Sequence, residues 1–216
     1  MFLNYFDKII CLTLERRPNR WEIALEEFKK YGLENIVEKF NGVDGKDSGI
    51  LEQNLPMSDG VRLKFGEIGC TMSHQKIIEK CQKEGYENVL ILEDDAEFDS
   101  NWQITLKNVI EKELPQNWDM LYLGGNHSIK PTQVTEHLFK IQHTYTTHAY
   151  AVNKRIFPKI LETFPKTAVD CKRQVDVYYS SIQKSTNSFV IMPHIAWQKE
   201  GFSDIQEKNV NYSFLK

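Results

Sequence analysis

No cysteine of this chain stands in a CxxC pair. Cys11, Cys70, Cys81 and Cys171 are widely spaced, which excludes a zinc ribbon and leaves four reduced, mostly buried thiols as the expectation. No apolar run approaches the roughly 18 residues that a membrane-spanning helix requires. Met1 to Tyr5 lacks the basic start of a secretory signal, and the apolar run around Ile9 is broken by Thr13, Glu15, Arg16 and Arg17. These absences lead to the expectation of a cytoplasmic protein whose membrane contact, if any, is peripheral. A large charge excess is also missing: the net charge of -3 gives no argument for a nucleic-acid binder. Neither the phosphate-loop nor the dinucleotide fingerprint occurs. What is present is 216 residues, 41% hydrophobic and 26% charged. That is an ordinary soluble composition, long enough for one α/β domain over residues 1–216.

Within it, one stretch stands out. Asn88-Val89-Leu90-Ile91-Leu92 runs directly into Glu93-Asp94-Asp95. The apolar part suits a buried strand, because Val89 and Ile91 are β-branched. The acidic part then lies at the strand's carboxyl end, where open α/β sheets bind ligands. Crowded carboxylates repel one another and need solvent, bases or a cation. A hard divalent ion held by carboxylates and substrate phosphates would answer that need; so would a solvated acidic turn. The residues alone leave both readings open.

The flanking pattern predicts alternating elements. Tyr5 to Leu14 reads as a strand and Glu15 to Arg20 as a basic turn. A helix runs from Trp21 to Gly32, and a short strand covers Ile36 to Phe40. That β-turn-α-β start implies parallel pairing. Arg16, Arg17 and Arg20, between a strand end and a helix start, suit either phosphate or solvent. Asn41 to Lys64 is rich in turn formers and reads as a long loop that is a lid, a binding loop or flexible. Gly66 to Gly85 is a helix. Ser73 and His74 are neighbours on it, so they do not face each other as a dyad. Helical residues after Trp102 end before Pro115, and Trp118 to Leu123 is a strand leading into a Gly124–His127 turn. Leu138–Ile141 and Thr144–Val152 are β elements. Asn153–Phe164 is a helix interrupted near Pro158, a helix opens at Val175, and Ser188–Met192 is a strand. The aromatic tail with Tyr212 and Phe214 is expected to pack on the domain.

Taken together, Gly66-Glu67-Ile68-Gly69-Cys70 with Ser73-His74, then Leu90-Ile91-Leu92-Glu93-Asp94-Asp95-Ala96, Asp119 with Tyr122-Leu123-Gly124, His148-Ala149-Tyr150-Ala151-Val152 and Ser203-Asp204-Ile205 resemble glycosyltransferase family 25. That family includes lipooligosaccharide galactosyltransferases and is related to the collagen galactosyltransferases. The resemblance implies a GT-A-like α/β single domain with a mainly parallel mixed central sheet flanked by helices. It implies inverting transfer of a hexose, galactose foremost, from a UDP-sugar to a hydroxyl of a glycan or glycolipid acceptor. Glu93 and Asp95 fall on the family's metal motif for Mn²⁺ or Mg²⁺, and His194 is a further ligand candidate. Arg16, Arg20, His74, Asp94 and Asn126 fall on the nucleotide side, with His127 beside Asn126. His74 also suits a role in orienting the acidic loop. Asp176 is the candidate base, with Asp204 its rival and helix capping the alternative for both. Trp197 suits sugar stacking or core packing. Two other functions stay open: a sugar-nucleotide nucleotidyltransferase, and a non-catalytic carbohydrate-binding descendant of the enzyme.

Overall fold

The computed structural model describes residues 2–58, 60–203 and 205–211. Asp204 and the tail residues Tyr212, Phe214 and Leu215 lie outside the described residues. In chain order the elements are β1 (Lys8–Thr13), α1 (Pro18–Lys29), β2 (Val37–Asn41), β3 (Met57–Ser58), β4 (Val61–Arg62), α2 (Phe65–Glu84), β5 (Asn88–Glu93), β6 (Ala96–Phe98) and α3 (Trp102–Lys112). The second half continues with β7 (Met120–Tyr122), β8 (Asn126–His127), β9 (Thr132–Gln133), β10 (Leu138–Lys140), β11 (Thr144–Tyr145), β12 (Ala149–Asn153) and α4 (Phe157–Thr163). It closes with α5 (Val175–Gln183), β13 (Ser188–Ile191), β14 (Ala196–Gln198), β15 (Gly201–Ser203) and β16 (Lys208–Val210).

Eight strands form the central sheet in the order β2-β1-β5-β12-β7-β13-β10-β9. Within it β12 and β10 run against the others. The expected mixed α/β domain, mainly parallel in strand direction and flanked by helices, is therefore what the structure shows. The apolar runs are continuous because both faces of the sheet are covered. On β5, Val89 and Ile91 join one core with residues of α2, α4 and α5, while Leu90 and Leu92 join the other with residues of α1 and α3. On β1, Ile10 and Leu12 face the first core, and Ile9 and Cys11 the second. All four cysteines are free.

Several local expectations change. Pro18 opens α1, three residues before the expected Trp21, because proline is tolerated in a first helical turn. Pro158 likewise lies in the first turn of α4 and does not interrupt it. The Gly124–His127 turn yields to a short strand, β8, which pairs with β11. The 41–64 stretch holds two single turns and the β3–β4 hairpin. Thr144–Val152 is two strands separated by an arch, because Thr146 adopts φ 72°.

The carboxyl edge of the sheet is where the elements converge. β1 and β5 are parallel neighbours, with Leu12 beside Glu93. β12 runs antiparallel to β5, with Ala149 opposite Leu92. Its amino end, and hence the arch before it, is thereby delivered to the edge where β5 ends.

Candidate active site

A cleft of about 530 Å³ opens at that edge, bounded by the turn after β1, the start of α2, the acidic residues after β5, the 145–147 arch and the start of α5. The α2 wall is close because glycines allow it. A Cβ on Gly69 would lie 2.6 Å from the Val43 carbonyl oxygen, and one on Gly45 would overlap the Phe65 carbonyl. Those contacts explain Gly69 as backbone packing against Gly45. Ser73 belongs to the same junction: its hydroxyl donates to the Gly69 carbonyl at 2.6 Å and accepts from the Val43 amide at 2.8 Å.

The acidic triplet is split by its surroundings. Glu93 accepts the Thr147 hydroxyl at 2.5 Å and lies 3.3 Å from His74 Nε2. A carboxylate only accepts, so His74 directs a protonated Nε2 at it. The other ring nitrogen lies 2.7 Å from the Tyr150 hydroxyl, which lies 2.9 Å from that of Tyr179. Burial works to raise the Glu93 carboxyl, but hydrogen bonds from His74 and Thr147 outweigh it and hold Glu93 below its ordinary value. Asp94 accepts from Thr13 at 2.6 Å and pairs with Arg20 at 2.5 Å. Burial raises its carboxyl, with Arg20 and Thr13 opposing. Asp95 pairs with Arg20 at 2.9 Å through one oxygen. Its other oxygen, Oδ1, is buried without a hydrogen-bond partner. Burial, reinforced by the Glu93 and Asp94 charges and opposed by Arg20, pushes Asp95 up to about 7.

That electrostatic position bears on a cation. The Arg20 guanidinium pairs with two of the three carboxylates, and a buried oxygen of Asp95 has no hydrogen-bond partner. An oxygen donor set with excess negative charge fits a hard divalent ion. A second grouping, Cys70, His74 and Glu93, brings its ligand atoms within 4.8 Å of one another. It fits less well, since burial pushes the Cys70 thiol well up and both His74 nitrogens have partners.

The structure brings Arg16, Arg20, Glu93, Asp94, Asp95 and Asp176 into one cleft. Arg16 pairs with Asp44. Asp176, in the first turn of α5, accepts weakly from the Thr146 amide at 3.4 Å, and burial raises its carboxyl. His74 is fully buried and reaches the cleft only through Glu93. Asn126, His127, His194 and Trp197 are absent from the cleft lining. Asn126 is exposed on β8. His194 lies with its Nε2 3.0 Å from that of His127, and the Trp197 indole donates to Glu97 at 2.6 Å. Sequence reasoning missed Thr13, Asp44, Thr146 and Thr147. Threonines carry no motif of their own, and only Thr147's place before His148-Ala149-Tyr150 pointed to it.

Known proteins share this chain's pattern. The family model described as Glycosyltransferase family 25 (LPS biosynthesis protein) matches residues 6–196. The "Probable inactive glycosyltransferase 25 family member 3" of Bos taurus is 30% identical over 182 residues, covering 74% of this chain and 29% of that protein. Procollagen galactosyltransferase 2 of Mus musculus is 27% identical over 179 residues, covering 74% of this chain and 28% of that protein. The chain thus spans under a third of the length of these relatives. Among solved structures, mannose-1-phosphate geranyltransferase from Thermus thermophilus superposes with a TM-score of 0.48 at 12% identity, over 85% of this chain and 72% of that one.

Proposed function

The chain belongs to glycosyltransferase family 25, and from that premise we propose that it is an inverting hexosyltransferase. It moves a hexose, galactose foremost, from a UDP-sugar to a hydroxyl of a glycan or glycolipid acceptor in surface polysaccharide or lipooligosaccharide synthesis. The observation that carries this reading is Asp95, with its buried, unpaired Oδ1 beside Glu93 and Asp94 at the floor of the cleft.

On this reading Asp95 and Glu93 hold Mn²⁺ or Mg²⁺, and Asp94 stays with Arg20 and Thr13 to fix the turn. The ion would supply charge neutralisation for the departing UDP. Arg16 and Arg20 line the side of the cleft that receives the diphosphate. Asp176 faces it from α5 and takes the proton of the acceptor hydroxyl as the new glycosidic bond forms. A carboxyl raised by burial is a stronger base than an exposed one, which suits that task. The reading does not require His194, which lies against His127. Among the described residues no helix is long and apolar enough to cross a membrane. We place the reaction in the cytoplasm, against the inner face of the membrane that carries a lipid-linked acceptor.

A second reading, a non-catalytic sugar-nucleotide or glycan binder, is favoured by two observations. One is that the bovine relative is named as probably inactive. The other is the seating of Arg20 on Asp94 and Asp95, which already offsets part of their charge. A screen of UDP-, GDP- and CMP-sugars with Mn²⁺ separates the two, alongside calorimetry of UDP with Mn²⁺ and with EDTA. The enzyme reading expects metal-dependent UDP binding and turnover of a UDP-hexose. Equal UDP affinity in both conditions removes the metal from the reading. Binding without any turnover leaves the non-catalytic one.

A further inference from the structure

The arch between β11 and β12 carries two local costs. Thr146 is β-branched yet adopts φ 72°, a left-handed conformation that such residues rarely take. Its hydroxyl oxygen is also buried without a hydrogen-bond partner. Unfavourable backbone conformations of this kind persist only where surrounding structure over-determines them.

Here the surroundings do. The segment is pinned before the arch by Gln183 of α5, whose amide accepts from the Thr144 N–H at 2.7 Å and donates to the Thr144 carbonyl at 2.9 Å. It is pinned after the arch by the Glu93 amide, which donates to the His148 carbonyl at 2.8 Å. Between the pins, two successive residues reach two different elements, α5 and the end of β5. The Thr146 N–H points to the Asp176 carboxylate, and the Thr147 hydroxyl donates to Glu93. An extended strand would alternate its side chains and keep its amides in the ladder. The left-handed residue is what frees one amide toward α5 while the next hydroxyl turns toward β5.

The geometry points to Thr146-Thr147 as a positioning brace that sets Asp176 against Glu93. The brace fixes the acceptor hydroxyl's base relative to the anchor of the donor diphosphate. Neither threonine needs to touch the sugar. This rests on the glycosyl-transfer reading of the same cleft, and it deepens that reading by naming what holds its two halves in register.

The test uses three variants of the full chain, with melting temperature recorded for each. Thr147→Val keeps the shape and removes the hydroxyl; Thr147→Ser restores it. Thr147→Val should weaken Mn²⁺-dependent UDP binding about tenfold at an unchanged melting temperature, with Thr147→Ser near wild type, as for other residues that orient metal ligands. Thr146→Gly relieves the left-handed residue. It should keep UDP affinity and donor KM, lower kcat about tenfold, and leave the melting temperature equal or higher. Hydrogen exchange on the metal-free protein supplies a readout independent of activity. Thr146→Gly should raise exchange at the start of α5 and in the 93–95 turn together. Wild-type UDP binding by Thr147→Val, a Thr147→Ser variant as weak as Thr147→Val, or unchanged exchange in Thr146→Gly would each overturn the brace. If wild-type protein shows neither metal-linked UDP binding nor transfer, the enzymatic reading itself fails, and the exchange result alone then decides whether the arch joins the two elements.

Discussion

One wall of the cleft is cationic and comes from a single turn of chain, Arg16 to Arg20. The opposite wall is uncharged or acidic, gathered from the 145–147 arch and the start of α5. The first wall is local in sequence and each arginine is an evident anion partner. The second exists only because an antiparallel strand and a distant helix meet at the end of β5. One side of the site is therefore suited to phosphate and the other to hydroxyl chemistry, with the acidic triplet between them answering to both. Even within the triplet the contrast persists. Glu93, held by His74 and Thr147, is lowered, whereas Asp95, two residues on, is raised by burial and its acidic neighbours to about 7 despite its pairing with Arg20.

The largest effect should come from erasing the base on the second wall. Asp176→Asn is expected to reduce transfer at least about 100-fold while UDP affinity stays within a factor of about two. Steady-state kinetics beside calorimetry checks this, and a parallel loss of both would place Asp176 in donor binding. Next, Arg20→Ala strips the first wall of its bridging guanidinium and leaves two largely buried carboxylates uncompensated. About 3 kcal/mol of stability should be lost in metal-free buffer, measured by urea denaturation. Added Mn²⁺ should restore part of it; no restoration would argue that no ion binds there.

A pH series on metal-free protein sharpens the contrast inside the triplet. Asp95 has a folded value raised to about 7 from 3.8. Over that window the folded chain keeps a proton that the unfolded chain has lost, so Asp95's contribution falls as pH rises. Glu93 has the opposite sign. Its folded value is lowered, so its contribution is present above its unfolded value of 4.5 and is lost as pH falls through the folded one. Asp95→Asn should remove the stability decline between about pH 5 and about pH 7, followed by denaturation midpoints; an unchanged slope would discard Asp95 as its source. The smallest effect belongs to the rim. Lys64 donates to the Gln206 carbonyl at 2.9 Å from an exposed position. Lys64→Ala should cost about 0.5 kcal/mol or less, and a larger loss would mean that this lysine holds in place the segment carrying Ser203 and Gln206, which line the cleft.

Much of the first wall could be read in the chain. β1, α1, β2 and β5 announce themselves through apolar runs and helical spacing. A β-turn-α-β order dictates parallel pairing, which sets Arg20 beside Asp94 and Asp95 once β1 and β5 are neighbours. The second wall was less legible. Asp176 was named by resemblance, but Thr146 and Thr147 sat inside what reads as one strand of alternating Thr, Tyr, Ala and Val. Nothing in that pattern signals a left-handed residue, because β-branched side chains argue for the opposite. His194 and Asn126 show the converse. Both follow strands in sequence, yet neither lines the cleft, since the strands before them lie farther along the sheet than β1 and β5.

By itself, then, the sequence determined the acidic end of a buried strand, the arginine turn after β1 and the continuous apolar run that buries β5 on both faces. Hydrophobic patterning and charge are properties of neighbouring residues, and they act over a few positions. Only the tertiary structure decided how the three carboxylates differ and what faces them. Thr13, Arg20, His74, Thr147 and Asp176 come from four other segments of the chain, and they act on Glu93-Asp94-Asp95 only after β1 and β12 have flanked β5 and α2 and α5 have packed over its end.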